Sequence, residues 1–275
     1  MAFLPLRPVP LPEPATRVYD AWLDGVDAAL DEPDCDRNVL CRDLLTELYY
    51  PHLSTLDPTT LPPATRVALL QMDPRNVTLE PEYYADTDVG AYARVKPLLW
   101  LWQMFDRSPL GENIHLGVKF RRILARRIFR RCGRNFKAMP FVMFSFGYNL
   151  EVGDDCVVHR YVLLDDRGGI TMGNKVSIAD FANIYSHTHD IVEQRMVRNL
   201  PTFLGDGVRI TYHATVLAGT RLEADAMLGA MGLATRDVGS GDVALGIPAK
   251  ARAQKPPFDE RPTYPRTVDP LADTA

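Results

Sequence analysis

The chain has 275 residues, a length typical of one or two domains, with 46% hydrophobic and 24% charged residues. This composition excludes a fully disordered chain, and the net charge of −4 excludes a generally basic nucleic-acid binder. No apolar run reaches the roughly 20 residues that span a membrane, and the proline-rich start does not resemble a signal peptide. The four cysteines lack CxxC spacing and are typical of reduced thiols, so we expect a cytoplasmic protein.

Proline and glycine are distributed unequally, which indicates regions of different architecture. Fourteen of the 22 prolines precede residue 110, whereas 15 of the 18 glycines lie between residues 117 and 246. We therefore expect an N-terminal region over residues 1–134, a second domain over residues 135–255, and a flexible tail, rich in proline and aspartate, over residues 256–275.

The N-terminal region is predicted to be helical. Apolar residues recur at helical spacing over residues 16–30, 36–49 and 91–105, with Pro97 at the start or a kink of the third helix. Proline-rich loops such as residues 61–63 are expected between the helices. No motif in this region indicates catalytic chemistry. The sequence therefore favours a helical domain that packs against the second domain or covers the acceptor.

A strongly basic segment joins the two regions. Residues 113–150 contain nine Lys or Arg and no acid, whereas residues 1–112 contain 18 acids and nine basic residues. Within residues 118–134 apolar side chains at helical spacing are interleaved with arginines, and Gly133 is expected to end the helix. One interpretation is peripheral contact with a membrane or an anionic substrate. The other is a docking helix whose arginines pair with the acidic N-terminal region.

From residue 150 the sequence repeats with a period of six, and this repeat decides the predicted fold. Each unit has an aliphatic residue, a small or polar residue, two variable residues and a small or aliphatic residue. Eight units fit, and they begin at Val152, Met172, Ile178, Leu204, Ile210, Val216, Leu222 and Leu228. Three such units make one triangular coil whose aliphatic side chains stack inward and whose backbone pairs with the next coil. The interruption at residues 186–203 is too long for a turn, so we expect a functional loop there.

Three segments of the second region carry motifs beyond the repeat. They are residues 146–150 (FGYNL), residues 170–189 (ITMGNKVSIADFANIYSHTH), and residues 234–238 (ATRDV) followed by 246–250 (GIPAK). Together they resemble the hexapeptide-repeat acyltransferases with a left-handed β-helix, most of all the galactoside and maltose O-acetyltransferase group. The resemblance covers about residues 135–252 and implies a mainly β, left-handed parallel β-helix behind an α-helical N-terminal region.

The resemblance implies acetyl-CoA as donor, no metal, and a homotrimer with active sites between subunits. It also implies that a histidine removes the proton from an acceptor hydroxyl, which attacks the thioester directly. His189 stands at the position of this base, and His187, two residues earlier, is the alternative. Asp190 could orient an imidazole, and the backbone N–H of Tyr212 is at the position that polarises the thioester carbonyl. The chemistry independently favours a base whose pKa lies near the working pH.

The resemblance also implies where the substrates lie. The residues matched to CoA contacts are Ala218 and Ala230 along the pantetheine arm, Thr235 and Arg236 at its distal end, and Lys250 and Arg252 near its phosphates. The last two also fit a solvated basic end. Candidates for acceptor contacts are Asn149, His159 and Asp165, of which His159 and Asp165 also fit a structural role. The chain departs from the group's spacing between residues 157 and 170, which leaves the acceptor open.

Three alternatives remain at this stage. The same fold and base occur in drug-modifying acetyltransferases of the streptogramin or chloramphenicol type. A non-catalytic β-helix scaffold that binds a partner through the helical region is the second. The third is a zinc site of the gamma carbonic anhydrase kind formed by His187, His189 and His213, against which the ATRDV and GIPAK segments argue.

Overall fold

The structure, a computed structural model, describes residues 6–53, 56–265 and 267–272. Within these residues the chain begins with five α-helices: α1 (Glu13–Asp31), α2 (Arg37–Tyr49), α3 (Pro63–Leu70), α4 (Val89–Arg107) and α5 (Ile114–Ile128). The three helices predicted for the N-terminal region are α1, α2 and α4, and Pro97 lies inside α4. α3 replaces part of a predicted loop, because prolines are tolerated at a helix start, where no N–H is needed. No helix in the described part of the chain is long and apolar enough to cross a membrane.

From residue 131 the chain winds into a parallel β-helix of five complete coils with three sheets. The first sheet contains β1 (Arg131–Cys132), β4 (Leu150–Val152), β7 (Ile170–Met172), β12 (Thr202–Leu204) and β15 (Arg221–Leu222). The second contains β2 (Lys137–Ala138), β5 (Val157–Val158), β8 (Ser177–Ile178), β13 (Arg209–Ile210), β16 (Met227–Leu228), β18 (Asp242–Leu245) and β19 (Lys250–Gln254). The third contains β3 (Met143–Phe144), β6 (Leu163–Asp165), β9 (Asn183–Tyr185), β14 (Thr215–Val216) and β17 (Leu233–Ala234). The predicted interruption holds the antiparallel strands β10 (His187–His189) and β11 (Val197–Asn199).

The coil repeat has two lengths. Paired residues in the first three coils stand twenty positions apart, as Lys137, Val157 and Ser177 do. Beyond β11 the separation falls to eighteen, the predicted value, as between Arg209 and Met227. The earlier coils are longer because the corner between the third and first sheets is wider there. We call this the wide corner; in the first three coils it comprises residues 145–149, 166–169 and 186–201. The coil also starts earlier than residue 150, the start of the repeat in the sequence.

The corner between the second and third sheets carries a column of stacked rings that are exposed or half-buried. Phe141, Tyr161 and Phe181 stack with centroids 4.9–5.0 Å apart, and His213 stacks on Phe181 at 4.8 Å. All four residues have φ between +55° and +65°, the left-handed region that bulky side chains rarely adopt. The stacked rings offset part of this backbone cost. We call this edge the aromatic corner.

The helical region caps the first coil. In the second coil, the backbone carbonyls of Cys156, Val158 and Val162 accept hydrogen bonds from N–H groups of the first coil. The first coil has no preceding coil to supply such donors. The corresponding carbonyls of the first coil accept instead from side chains: Phe136 from Arg122 Nε at 2.7 Å, Ala138 from Arg121 Nη1 at 3.3 Å, and Val142 from Trp102 Nε1 at 3.0 Å. Side chains of α4 and α5 therefore replace a missing coil and leave no buried carbonyl of this set unpaired.

An ion pair completes this cap. Arg121 and Asp106 lie 2.5 Å apart, with side chains 0% and 2% exposed, and Asp106 also accepts from the backbone N–H of Phe141 at 2.7 Å. Burial raises the pKa of Asp106 despite Arg121, and burial lowers the pKa of Arg121 despite Asp106. Such a pair tolerates the low-dielectric interior only because further hydrogen bonds satisfy both groups.

The basic segment differs from the prediction. α5 ends at Ile128, and Gly133 belongs to a coil corner, where a Cβ would lie 2.3 Å from the backbone of Gly153. Arg121 and Arg122 are buried in the cap, and Arg127 pairs with Asp27 and Asp31 of α1. These contacts agree with the second interpretation, a docking helix whose arginines pair with the acidic N-terminal region. They leave no continuous basic face along α5.

The C-terminal segment lies against the β-helix. Arg261 contacts Asp225 in the fifth coil at 2.5 Å, and Asp269 contacts Lys137 in the first coil at 2.6 Å. The carbonyl of Leu271 accepts from Arg122 at 2.8 Å. The segment thus touches the coil near both ends. Residues 1–5, 54–55, 266 and 273–275 of the predicted N-terminal region and tail lie outside the described residues.

Candidate active site

A two-stranded hairpin projects from the wide corner after the third coil. β10 and β11 pair antiparallel, with His187 opposite Asn199 and His189 opposite Val197. Its base packs on Gly168, where a Cβ would lie 2.1 Å from the carbonyl oxygen of Ser186. Only glycine permits this approach, so Gly168 fixes where the hairpin leaves the coil. The loop predicted at residues 186–203 is therefore an ordered β-hairpin.

Asp165 gathers polar groups from three successive coils. Its carboxylate accepts from Ser145 Oγ at 2.9 Å in the first coil and from the backbone N–H of Ser186 at 3.4 Å in the third. The Nδ1 atom of His187 also donates to this carboxylate. The side chain of Asp165 is 4% exposed and that of His187 is 18% exposed. The carboxylate thereby fixes the ring and tautomer of His187 and leaves Nε2 as the free nitrogen.

His189 is held in the same tautomer by a different group. Its Nδ1 lies 2.6 Å from the backbone carbonyl oxygen of Gln194, which can only accept, so Nδ1 carries the proton. Nε2 is therefore a free acceptor on an exposed side chain. The rings of His187 and His189 meet edge to face, with centroids 5.2 Å apart. The hairpin thus presents two neighbouring imidazoles, each with a fixed Nδ1.

Asp190 does not orient either imidazole. Its Oδ1 atom accepts from the backbone N–H groups of Val192 and Glu193 at 2.9 and 3.1 Å and so stabilises the hairpin turn. These hydrogen bonds lower the pKa of Asp190. The carboxylate that contacts an imidazole is instead that of Asp165, about one coil's length before His187 in the chain, because neighbours in sequence such as His189 and Asp190 diverge along a strand.

Asp166 is a second, fully buried carboxyl at the same corner. It accepts from the backbone N–H groups of Phe146 at 2.7 Å and Asn149 at 3.2 Å. Burial raises the pKa of Asp166 to about 7, although these hydrogen bonds act in the other direction. Asp166 therefore shapes the wide corner beneath Asp165.

The helical region holds the hairpin through Asp86, a residue that the sequence did not single out. Asp86 accepts from Asn199 Nδ2 at 2.9 Å and from Arg167 Nη2 at 2.8 Å. The Arg167 guanidinium also lies 4.2 Å from the ring centroid of Tyr84. Burial acts to raise the pKa of Asp86, but the two hydrogen bonds outweigh it and lower the pKa. A lone aspartate in a loop carries no sequence signal for such a bridge.

The predicted donor-side residues lie at two corners of the coil and on the last strand. Tyr212 and Ala230 are exposed at the aromatic corner, and the Tyr212 backbone N–H donates to no acceptor within the described ranges. Ala218 lies after β14 and Thr235 and Arg236 after β17, at the third-to-first corner of later coils. Lys250 and Arg252 are exposed on β19. No carboxylate among the described residues pairs with the cations that match the CoA segment, Arg236, Lys250 and Arg252.

The predicted acceptor residues are not all brought together. Asn149 lies at the wide corner, where its Nδ2 donates to the carbonyl of Arg167 at 3.3 Å. His159 follows β5 at the aromatic corner, away from Asp165. His213, invoked for a zinc site, stacks on Phe181 at that same corner. Within the described ranges, no group of three or more His, Cys, Asp or Glu side chains could hold a metal ion.

Comparison with known proteins finds relatives that are named acetyltransferases. The chain is 26% identical over 137 residues to galactoside O-acetyltransferase of Escherichia coli (strain K12), a match that spans 48% of this chain and 68% of the relative. No family model matches the chain.

Solved structures show the same fold. A maltose O-acetyltransferase from Clostridium difficile 630 superposes with a TM-score of 0.54 and 24% identity over 62% of this chain and 91% of that one. A galactoside acetyltransferase in complex with coenzyme A gives 0.56 and 23% over 65% and 90%. The relatives are named acetyltransferases, in agreement with the predicted acyltransferase enzyme. In sequence and fold the chain is thus similar to the hexapeptide-repeat acyltransferases of the galactoside and maltose O-acetyltransferase group, with their left-handed β-helix, as its motifs predicted.

Proposed function

We propose that the protein is an acetyl-CoA-dependent O-acetyltransferase that acetylates a hydroxyl of a sugar or sugar-containing acceptor. The observation that carries this proposal is the hairpin with two imidazoles whose Nδ1 atoms are both fixed. The similarity to galactoside and maltose O-acetyltransferases supports the donor and the acceptor class.

His189 is the proposed general base. Its exposed Nε2 accepts the proton of the acceptor hydroxyl, while Nδ1 keeps its proton on the Gln194 carbonyl. The hydroxyl oxygen forms a bond to the acetyl carbon as the carbon–sulfur bond breaks. The proton held on Nε2 then passes to the leaving sulfur, so the base is regenerated. A positioned base of this kind contributes about 10²–10⁴-fold to a rate.

His187 supports the hairpin in this proposal. Asp165 holds it beside His189, so that the two rings limit each other's rotation. It is also the alternative base, because its Nε2 is free as well. The two assignments predict different variants to be inactive.

A homotrimer with sites between subunits is part of the proposal. The hairpin leaves the wide corner, whereas Tyr212 lies on the aromatic corner, at the other edge of the third sheet. One chain's hairpin and the same chain's Tyr212 N–H therefore stand at opposite edges of one sheet. An assembly in which one chain's hairpin meets another chain's aromatic corner brings base and carbonyl-polarising N–H together. We also place the protein in the cytoplasm, as the number and spacing of its four cysteines suggest.

The proposed donor contacts follow the same assembly. Small side chains at Ala218 and Ala230 leave room for the pantetheine arm. The exposed cations Arg236, Lys250 and Arg252 have no carboxylate partner in the described part of the chain, so they fit the CoA phosphates.

The test is thiol release from acetyl-CoA with a panel of sugars, for wild type, His189→Ala and His187→Ala. His52→Ala, at an exposed histidine of the helical region, is the matched control. We expect a loss of at least about 100-fold in kcat for His189→Ala, the size of a lost general base. CoA binding, measured by calorimetry, stays unchanged.

Two outcomes contradict this scheme. If His187→Ala shows a comparable loss of kcat while His189→Ala stays active, the general base is His187, the imidazole bound to Asp165. Absence of thiol release and of CoA binding in wild type removes the acetyltransferase proposal as a whole.

A further inference from the structure

A cleft lined by four arginines lies beside the hairpin. Its volume is about 670 Å³, within the range of small-molecule sites. Arg37 from α2, Arg94 from α4, and Arg127 and Arg130 at and just beyond the end of α5 line it, together with Tyr148 and Asn149 of the wide corner. We call it the arginine cleft.

Two of these arginines form no ion pair with any residue that the structure describes. Arg127 pairs with Asp27 and Asp31, and Arg130 lies 3.4 Å from Glu151. Arg37 and Arg94, by contrast, make hydrogen bonds only to backbone carbonyls, Arg37 to that of Arg94 at 3.0 Å and Arg94 to that of Gly90 at 3.1 Å. Neither has a carboxylate partner within the described ranges.

The acids that line the cleft are already engaged. Asp86 binds Asn199 and Arg167, and Asp88 caps α4 by accepting from the N–H of Ala91 at 2.8 Å. Like charges that gather in a concave site without partners raise the free energy of the empty protein. An anion in the cleft relieves this repulsion.

The neutral groups in the cleft suit a phosphate. The hydroxyl oxygen of Tyr148 accepts from the N–H of Asp88 at 3.2 Å, which leaves its own proton free to donate. Guanidinium groups bind phosphate oxygens through paired N–H donors. The side chains of Ala91, Val95 and Phe129 give the cleft an apolar wall for the remainder of a ligand.

The cleft and the hairpin share a wall. Asp86 lines the cleft, and the same carboxylate accepts from Asn199, which stands opposite His187 in the hairpin. A ligand anchored by phosphate in the cleft can thus extend a hydroxyl towards the imidazoles. The bridge through Asp86 also lets occupancy of the cleft steady the hairpin.

We propose that the arginine cleft binds the phosphate group of the acceptor, so that the preferred acceptor is a phosphorylated sugar. This inference rests on the proposed acetyltransferase function for its reaction, although the phosphate site itself does not. A cleft walled by three helices and a coil corner fits a small soluble molecule better than a membrane surface.

The first experiment measures binding without acetyl-CoA. Inorganic phosphate and pyrophosphate are titrated into wild type and into Arg37→Gln/Arg94→Gln at constant ionic strength. Arg17→Gln/Arg66→Gln, which removes two exposed arginines outside the cleft, is the charge-matched control. We expect the dissociation constant to rise at least tenfold in the cleft variant and to stay unchanged in the control. Equal affinities in all three proteins overturn the site.

The second experiment compares glucose with glucose 1-phosphate as acceptors. We expect the cleft variant to raise KM for glucose 1-phosphate about tenfold, with kcat and the KM of glucose unchanged. A raised KM for acetyl-CoA instead assigns the cleft to the CoA phosphates and overturns the acceptor inference. If wild type binds phosphatidylglycerol vesicles and the cleft variant does not, the cleft is a site for a lipid headgroup. That result also contradicts the proposal. If wild type turns over no acceptor but binds phosphate through these arginines, the acetyltransferase proposal fails while the phosphate site stands.

Discussion

Arg121 and Asp106 form an ion pair that is almost fully buried between the helical region and the first coil. Arg121 reaches the carbonyls of Gly111 and Ala138, and Asp106 reaches the N–H of Phe141. The pair therefore joins α4, α5 and the start of the β-helix in one hydrogen-bonded group. We expect its loss to weaken the contact between the helical region and the β-helix.

The first prediction follows from this burial. Arg121→Met leaves Asp106 without its partner and lowers the free energy of unfolding by about 3–5 kcal/mol. The double variant Arg121→Met/Asp106→Asn should lose less free energy of unfolding than the sum of the two single variants, because neither buried charge then remains without its partner. Urea denaturation at one protein concentration measures both effects.

The control for that prediction is a surface pair. Arg42→Met breaks an exposed pair with Asp43 and is expected to change stability by less than about 1 kcal/mol. A cost for Arg121→Met no larger than that of Arg42→Met contradicts the structural role of the buried pair.

The second prediction concerns Asp166 and pH. Because burial raises its pKa to about 7 in the folded protein, from about 3.9 in an unfolded chain, the folded state binds the proton more tightly. The stability from this group is complete below pH 4 and declines as the pH rises through 7. Relative to Asp166→Asn, wild type therefore loses stability between pH 5 and 8, by about 1.4 kcal/mol per pH unit at most.

Thermal or urea unfolding across this pH range measures the difference. Asp24→Asn, at an exposed carboxyl, should keep the pH dependence of wild type. A constant difference between wild type and Asp166→Asn from pH 5 to 8 would mean that Asp166 is ionised throughout.

The third prediction tests whether Asp165 acts through His187. Asp165→Asn replaces the carboxylate that orients His187 with a neutral amide, which is a weaker acceptor, so we expect a loss of roughly tenfold in kcat/KM, about 1.4 kcal/mol. Asp165→Asn/His187→Ala should be no less active than His187→Ala alone, because the carboxylate then has no ring to orient. Multiplicative losses in the double variant contradict this relationship.

The fourth prediction concerns the bridge from the helical region to the hairpin. Asp86→Ala removes the acceptor shared by Asn199 and Arg167, and amide exchange in β10 and β11 should accelerate about tenfold. Exchange in α1 should not change. Asp34→Ala, at an exposed aspartate, is the control, and equal hairpin exchange in the two variants would contradict the bridge.

The sequence predicted the β-helix well because its signal is local and repeated. Inward residues such as Val158, Ile178 and Ile210 recur in frame, and all are 0% exposed. The six-residue repeat could not be traced into the first coil, because this coil packs against α5 and uses Phe136 and Phe144 where later coils use smaller residues. Large side chains there fill the space under the helix.

The candidate site was predictable only in part. The motif register located the two histidines, because they follow a coil unit closely. The contacts of Asp165 and Asp86 could not be predicted, because their partners lie 20 or more residues away in the sequence. These residues come together only when the chain folds around the wide corner. Arg37 and Arg94 likewise meet only after α2 packs on α4.

The cap on the first coil also bears on how chains meet. A parallel β-helix with an open first coil offers a row of unpaired carbonyls on which another chain could add its strands, the route to fibres. Here the side chains of Trp102, Arg121 and Arg122 occupy that row. A fragment that began at Arg131 would expose it, and we expect such a fragment to polymerise end to end. The helical region therefore keeps the coil finite at this end and leaves its flanks as the faces on which the proposed trimer would form.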